Sequence, residues 1–253
     1  MWHLERSSVR WESASFCAAM DLAYPSRGLQ AITWDGAALS DAALMQVTVA
    51  RGDERAERIE DAYIRGNDLI VTYAEGSDRE VRPQVCRRQV RWRVVHQPHA
   101  APGIVLEVLV SVQTQYLDSD PRVQVTSVLP GREWMLLSGG AAASDYRPVS
   151  WPDASPQVVD VAAACQALLA RLPALACSYG HILTPNDLVH ARLSWDAARR
   201  ATALETTYFA GRLEKGVLRR ARSRAVLMPR TGDAELLAEL LRETVATAPP
   251  LTT

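Results

Sequence analysis

Two side chains in this chain are suited to moving protons on a sugar or similar polyol: His181 and Glu205. His181 follows Tyr179 and Gly180 and precedes Thr184, Pro185, Asn186 and Asp187. A histidine beside a glycine turn with polar neighbours can present its ring at a cleft and titrate near neutral pH. The competing, structural reading is a ring that hydrogen-bonds a loop carbonyl. Glu205 stands in a run that is otherwise uncharged over residues 202–211, and two-residue parity groups it with Ala203, Thr207 and Phe209. A carboxyl on a partly apolar face is held neutral by desolvation, which is how a general base is tuned upward. Solvent, or one of the many arginines, is its alternative partner.

Five further residues have the chemistry of ligand contacts. Glu214 and Lys215 precede Gly216, and Lys215 is the only lysine among the 28 basic residues. A buried lysine of lowered pKa suits Schiff-base or general-base work, whereas an exposed lysine at a hairpin end is commoner. Arg220 and Arg222 share a strand face with Arg224, and with Arg87, Arg88, Arg91 and Arg93 they can make a basic surface for phosphate, sulfate or uronate groups. The favoured reading of that surface is a solvated sheet face whose arginines pair with the 29 acidic residues. Trp151, between Ser150 and Pro152, has the aromatic face that stacks on the C–H face of a sugar. Trp92 and Trp195, in alternating strands, read as core.

Composition narrows the class. A hydrophobic share of 48% over 253 residues supports a sizeable, mostly aliphatic core, and a net charge of −1 gives no overall reason to expect a polyanionic partner. Neither an RNP-like aromatic signature nor a basic recognition helix is present, so nucleic acid is not an expected partner. P-loop, Rossmann glycine, G-x-S-x-G and metal-helix patterns are absent as well, and no cofactor or metal is expected. Cys17, Cys86, Cys165 and Cys177 show no CxxC spacing and read as reduced, buried thiols. No stretch reaches signal-peptide or membrane-span length, which places the expectation in the cytoplasm with no membrane partner. Oligomeric state is not set by the sequence.

The elements that must position these residues are strands. Val90, Trp92 and Val94 alternate with Arg91 and Arg93, and Ile104, Leu106, Val108, Val110 and Val112 keep one register. The intervening residues 97–103 hold two prolines and a glycine, so the two runs are expected to pair antiparallel. Further strands are expected over residues 16–24, 29–34, 45–50, 68–74, 122–129, 133–137, 188–195, 202–209 and 217–227, the last two joined as a hairpin by Ala210, Gly211 and Arg212. The charged run 51–61 reads as a solvated loop or exposed edge, and residues 138–156 as a long surface loop. Alanine and leucine content favours a helix over residues 158–171, ended by Pro173, with a buried strand starting near Val158 as the alternative. A terminal helix begins near Asp233, whose carboxylate can cap it, with Leu236, Leu237, Leu240 and Leu241 on one stripe that covers a sheet face or open edge.

The turn and strand at residues 25–36, PSRGLQAITWDG, resemble the opening of galactose mutarotase-like supersandwich proteins. The long central strands and the late glutamate-bearing strands follow in that family's order. The resemblance implies one all-β domain over residues 1–253, an antiparallel β-sandwich of supersandwich type with a C-terminal helix. It further implies a carbohydrate as small-molecule partner, and in active members a histidine acid and a late glutamate base at the sugar's anomeric hydroxyl and ring oxygen. The family's H-x-Y-F-N signature does not occur here, since His96 and His99 have neither Tyr nor Asn beside them. The expectation is therefore a non-catalytic carbohydrate-binding protein, the alternative being a sugar isomerase resembling aldose 1-epimerase with His181 as acid and Glu205 as base. A third class, an assembly protein using exposed sheet edges, requires a large apolar interface and no cleft.

Overall fold

Side-chain alternation in the central run becomes a division of faces. In the computed structural model, β9 (Arg87–Gln97) and β10 (Gly103–Gln113) pair antiparallel, from Arg87 opposite Gln113 to Gln97 opposite Gly103. Val90, Trp92 and Val94 of β9 and Ile104, Leu106, Val108, Val110 and Val112 of β10 all enter the main apolar core. Arg91, Arg93, Glu107 and Ser111 have the opposite parity and turn to the other face. The structure describes residues 1–49, 56–74, 86–97, 103–117, 119–137, 146–153, 155–162, 166–173, 175–184 and 188–247.

Among the described residues the strands form three antiparallel sheets. The first is a sequential meander of β1 (Trp2–Glu5), β2 (Ser8–Glu12), β3 (Phe16–Asp21), β4 (Gln30–Trp34) and β5 (Ala37–Ala38). Between β3 and β4 lies a 3-10 turn, Pro25–Arg27, and Asp35 and Gly36 reverse the chain into β5 with positive φ at both. The largest sheet orders nine strands: β13 (Tyr146–Pro148), β12 (Trp134–Leu137), β15 (Ala167–Arg171), β16 (Cys177–Ile182), β19 (Leu218–Pro229), β10, β9, β8 (Asp68–Tyr73) and β7 (Ile59–Arg65). The third orders β14 (Gln157–Asp160), β17 (Leu188–Asp196), β18 (Ala201–Tyr208), β11 (Val123–Pro130) and β6 (Ala43–Val49). Leu193, Leu204, Val123, Val125 and Val47 of the third sheet share one core with Trp92, Val108 and Tyr179 of the nine-stranded sheet, so the two stack as a sandwich. Trp2, Trp11, Phe16 and Trp34 carry the first sheet into the same core.

A buried polar line crosses between the stacked sheets. The register of β6 against β11 breaks between Thr126 and Val128, and Met45 takes φ 55 at that break. Its amide, displaced from the ladder, donates to Ser127 Oγ at 3.2 Å, and its carbonyl accepts a long bond from Trp92 Nε1 at 3.5 Å. Tyr179 then donates to the same Ser127 Oγ at 2.9 Å. The irregularity is thus satisfied by side chains from the facing sheet, as buried backbone groups require.

Four expectations are corrected. The helix favoured over residues 158–171 is replaced by its strand alternative: β14 and β15 occupy the two ends, and residues 163–165 lie outside the described residues. In β15, Leu168 and Ala170 enter the sandwich core while Ala167 and Leu169 pack under the C-terminal helix. A strand buried on both faces reads as a continuous apolar run and loses the alternation that would distinguish it from a helix. Nor do β18 and β19 form a hairpin. They belong to different sheets, and Leu213 between them bridges to Ser119 instead. Asp233 opens helix α1 (Asp233–Ala246) but does not cap it, Gly232 being the N-cap with φ 76. Tyr146–Pro148, within the expected loop 138–156, is strand β13; residues 138–145, like His99, Cys165 and residues 50–55 of the charged run, lie outside the described residues. The rest of that charged run leads into β7, the outermost strand of its sheet.

Helix α1 closes one half of the outer face of the nine-stranded sheet. Leu236, Leu237, Leu240 and Leu241 pack with Val105, Leu169, Ile182 and Val226. Gly180 permits the approach, because a Cβ there would stand 2.7 Å from Leu237 Cδ1. The Asp233 carboxylate, 2% exposed, takes Ser178 Oγ at 2.7 Å and Arg171 Nε and Nη2 at 3.1 and 3.3 Å. That bond lifts the arginine's pKa further. Asp233→Ala strips a charged acceptor from three donors, but a partly exposed Arg171 can rehydrate, so the expected loss is about 1–3 kcal/mol by chemical denaturation. Glu235→Ala, on the exposed side of the same turn, is the control and is expected to change stability by less than about 0.5 kcal/mol. Among the described residues no helix is long and apolar enough to cross a membrane.

Candidate functional site

His181 points into the sandwich. It is 1% exposed, shares strand parity with Cys177 and Tyr179, and its Nδ1 lies 2.9 Å from Tyr179 Oη. Since Tyr179 donates to Ser127, Nδ1 carries the imidazole proton and the tyrosine oxygen accepts it. Nε2 is left to accept from Ser223 Oγ, 3.4 Å away. Burial pushes the pKa of His181 down to about 3, so the ring is neutral throughout the physiological range.

Glu205 lies on the other side of the sandwich wall. Leu204 and Tyr208 of β18 fill the core, and Glu205, of opposite parity, faces outward between Thr126 of β11 and Arg192 of β17. The two residues expected to form an acid–base pair therefore stand on different faces of different sheets. Glu214 and Lys215 occupy an exposed turn before β19, held by Gly216 N to Thr114 O at 3.2 Å. Trp151 is half-buried; its Nε1 donates to Arg132 O at 3.2 Å, and the Arg132 guanidinium lies 5.5 Å from the Trp151 ring and 5.9 Å from Trp195. A cation thus lies over one face of the Trp151 ring, and Trp195 is half-buried beside it rather than core.

Chemistry-bearing residues converge on the outer face of the nine-stranded sheet, beyond α1. Register across β8, β9, β10 and β19 sets them in rows. Arg87, Gln113 and Leu218 make the first; Thr72, Gln89, Ser111 and Arg220 the second. Ile70, Arg91, Leu109 and Arg222 follow, and then Asp68, Arg93, Glu107 and Arg224. The first two rows, with Arg88, line an open cavity of about 200 Å³. Arg87 pairs with Glu60 at 2.9 Å, and Arg88 pairs with Glu57 with its guanidinium 5.6 Å from the Tyr73 ring.

The two deeper rows are ion-paired and helix-tethered. Arg93 grips Asp68 through two bonds of 2.6 and 2.8 Å, which raise its pKa, while Arg91 reaches Glu107 at 3.3 Å. Burial, then the neighbouring Arg93, lowers the pKa of Arg91. Arg222 donates to the carbonyls of Thr244 and Thr247 at 2.9 and 3.0 Å, and Arg224 to Thr244 Oγ1 at 2.7 Å. A cation at a helix C-terminus meets the negative end of its dipole. Of the two arginines expected to contact ligand, then, Arg220 lines the cavity and Arg222 anchors the helix end. The expected solvated face is corrected in part: Arg91 and Arg222 are each only 4% exposed.

Sequence reasoning does not reach Thr72, Gln89, Ser111 and Gln113. Ser111 and Gln113 interrupt the apolar run of β10 at the parity opposite Val108, Val110 and Val112, and that interruption is the signal that could have found them.

No family model matches this chain, nor does any curated protein. Solved structures do. A galactose mutarotase-like protein from Lactobacillus casei superposes with a TM-score of 0.58 at 8% identity, over 87% of this chain and 99% of that one. The fold is galactose mutarotase-like. A candidate aldose 1-epimerase from Klebsiella pneumoniae gives a TM-score of 0.56 at 10% identity over 93% of this chain and 83% of its own. A TPR-domain containing protein from Parabacteroides distasonis matches at 0.57 and 9% identity over 87% of this chain. This chain spans about half of that longer protein, 47% of its length. Among the described residues this fold takes the form of stacked antiparallel sheets with the C-terminal helix α1 on one outer face.

Proposed function

We propose that this chain binds a monosaccharide in the cavity on the outer face of its nine-stranded sheet, and does so without catalysing its conversion. One observation carries the reading: hydroxyl and amide groups from Thr72, Gln89, Ser111 and Gln113 converge, with Arg87 and Arg220, on a cavity of about 200 Å³. That is smaller than the roughly 300–1,000 Å³ of drug-sized sites and suits one small polar ring. The names of the solved structures with this fold, galactose mutarotase-like and aldose 1-epimerase, lend support. The isomerase reading needs His181 and Glu205 at one anomeric carbon, and their placement on separate faces speaks for binding alone.

A panel of aldohexoses, their uronates and their phosphates, screened by thermal shift, tests the proposal. A ligand present at a hundredfold excess over its Kd stabilises the folded chain by about 2.7 kcal/mol, or roughly 5–10 °C in Tm for a chain of this size. Gln89→Ala is expected to remove most of that shift while leaving the unliganded Tm in place. Polarimetry of fresh α-glucose and α-galactose is expected to show mutarotation at the uncatalysed rate. Acceleration would overturn the non-catalytic part, and a flat thermal panel would overturn binding.

A further inference from the structure

The lining of the cavity is unbalanced in its hydrogen-bonding chemistry. Arg87 and Arg220 contribute guanidinium donors, the Arg88 guanidinium being held by Glu57, and none of the described lining residues is a carboxylate. A neutral sugar presents as many hydroxyl donors as acceptors, and a site built for it needs strong acceptors to receive them. Here the acceptors are the neutral oxygens of Thr72, Gln89, Ser111 and Gln113. The charged groups in the described lining are therefore cations alone. A guanidinium makes its strongest, two-pronged bonds with planar or tetrahedral oxyanions.

The surrounding face leans the same way. On the outer face of β7 to β10 and β19, Arg65, Arg87, Arg91, Arg93, Arg222 and Arg224 stand with the carboxylates of Glu60, Asp61, Asp68 and Glu107. The excess is positive before Arg220 is counted. Arg93 with Asp68, Arg91 with Glu107 and Arg87 with Glu60 cancel in pairs, which leaves Arg65, Arg222 and Arg224 against Asp61 among these described residues. Arg91 Nε and Arg222 Nε, on residues 4% exposed, are buried without a hydrogen-bond partner among the described residues, so the row next to the cavity also holds donors in excess of acceptors. At the rim, the Arg87–Glu60 pair is exposed, with side chains 49% and 36% accessible. Such a pair is weak enough for an incoming anion to take over its arginine.

We infer that the sugar taken by this cavity carries an oxyanion, a phosphate, sulfate or carboxylate group received by Arg87 and Arg220. The inference rests on the proposal that the cavity is a saccharide site, and it names the class of saccharide.

Calorimetric titration of the full chain at low salt separates the two. The ligands are glucose and galactose, their 6-phosphates, 6-sulfates and uronates, and inorganic phosphate alone. At least one anionic sugar is expected to bind about tenfold tighter than its neutral parent. Added salt should weaken that sugar and leave the parent unchanged, since only the charged interaction is screened. Arg220→Gln should bring the anionic sugar to the parent's affinity, with circular dichroism melting confirming that the variant folds. If it does not fold, the salt series on the unaltered chain decides between charged and neutral recognition. Neutral and anionic sugars binding equally, with no salt effect, would overturn the oxyanion and leave the saccharide site standing. Inorganic phosphate binding while every saccharide stays silent would overturn the saccharide reading and this inference with it.

Discussion

Trp92→Ala is expected to cost about 3–5 kcal/mol, the usual loss when a buried aromatic ring is truncated and the core does not collapse into the void. Trp92 is 1% exposed and is among the largest fully buried side chains. It lies mid-strand in β9, flanked by Leu69 of β8 and Val108 of β10, and faces β6 of the opposite sheet. Strands on both sides hold its backbone, so the neighbouring side chains cannot follow a shrinking ring inward. The loss also strands the Met45 carbonyl at the break in β6. Trp92→Phe isolates that part: it keeps an aromatic body and loses only the long N–H bond of 3.5 Å, so about 1 kcal/mol or less is expected. Guanidinium denaturation of both variants measures the difference. Since folded chains have about 5–15 kcal/mol in total, the effect of Trp92→Ala is read directly as a large fall in midpoint. A cost below about 1 kcal/mol would contradict the stacking of the two sheets at this ring.

The same ring shows what the sequence makes legible. Trp92 could be assigned to the core from its neighbours alone, because β9 has one apolar face and one charged face and its parity survives in the sequence. The hairpin of β9 with β10, the leucine stripe of α1 and the shared face of Arg220, Arg222 and Arg224 were readable for that reason. Legibility fails where both faces of a strand are covered. In β16 all six residues are buried, so nothing local tells that His181 points inward and not toward a cleft. In β15 the same double burial imitated a helix. A second failure is non-local pairing. Thr72, Gln89, Ser111 and Arg220 form one row only because β8, β9, β10 and β19 are neighbours in the sheet, and adjacency between distant strands leaves no mark on either segment. Glu205 was the intermediate case: its parity with Ala203 and Thr207 was readable, but which parity faced the core was settled by Leu204 and Tyr208. The passage from β18 in the third sheet to β19 in the largest was hidden likewise, since a long connection and a hairpin share their glycines.

His181 is expected to make the fold sensitive to acid in a way that one substitution removes. In the unfolded chain its imidazole takes a proton near the ordinary value of about 6.5, while in the folded chain burial holds the value down to about 3. Above pH 6.5 both states are neutral at this residue and it contributes no slope. Below that, the unfolded state binds a proton that the folded state refuses, so folded stability falls as pH falls, by about 1.4 kcal/mol per unit until pH approaches 3. Between pH 6.5 and 4.5 the loss is about 2–3 kcal/mol. Burial is its sole cause, since the polar groups around the ring, Tyr179, Ser223 and Ser127, are uncharged. Carboxylates elsewhere also lose stability in acid, so the comparison must be made against His181→Asn, which can keep a hydrogen bond to Tyr179 and does not titrate. Urea denaturation of both chains from pH 7.5 to 4.5 is expected to show the parent falling more steeply, the two curves drawing together by about 2–3 kcal/mol even though the variant starts lower from lost packing. Parallel curves would mean that the folded chain accepts the proton, and hence that the ring reaches water or an acid. That outcome would reopen His181 as a group able to exchange a proton with a ligand, which the enclosed geometry of Tyr179 and Ser223 denies.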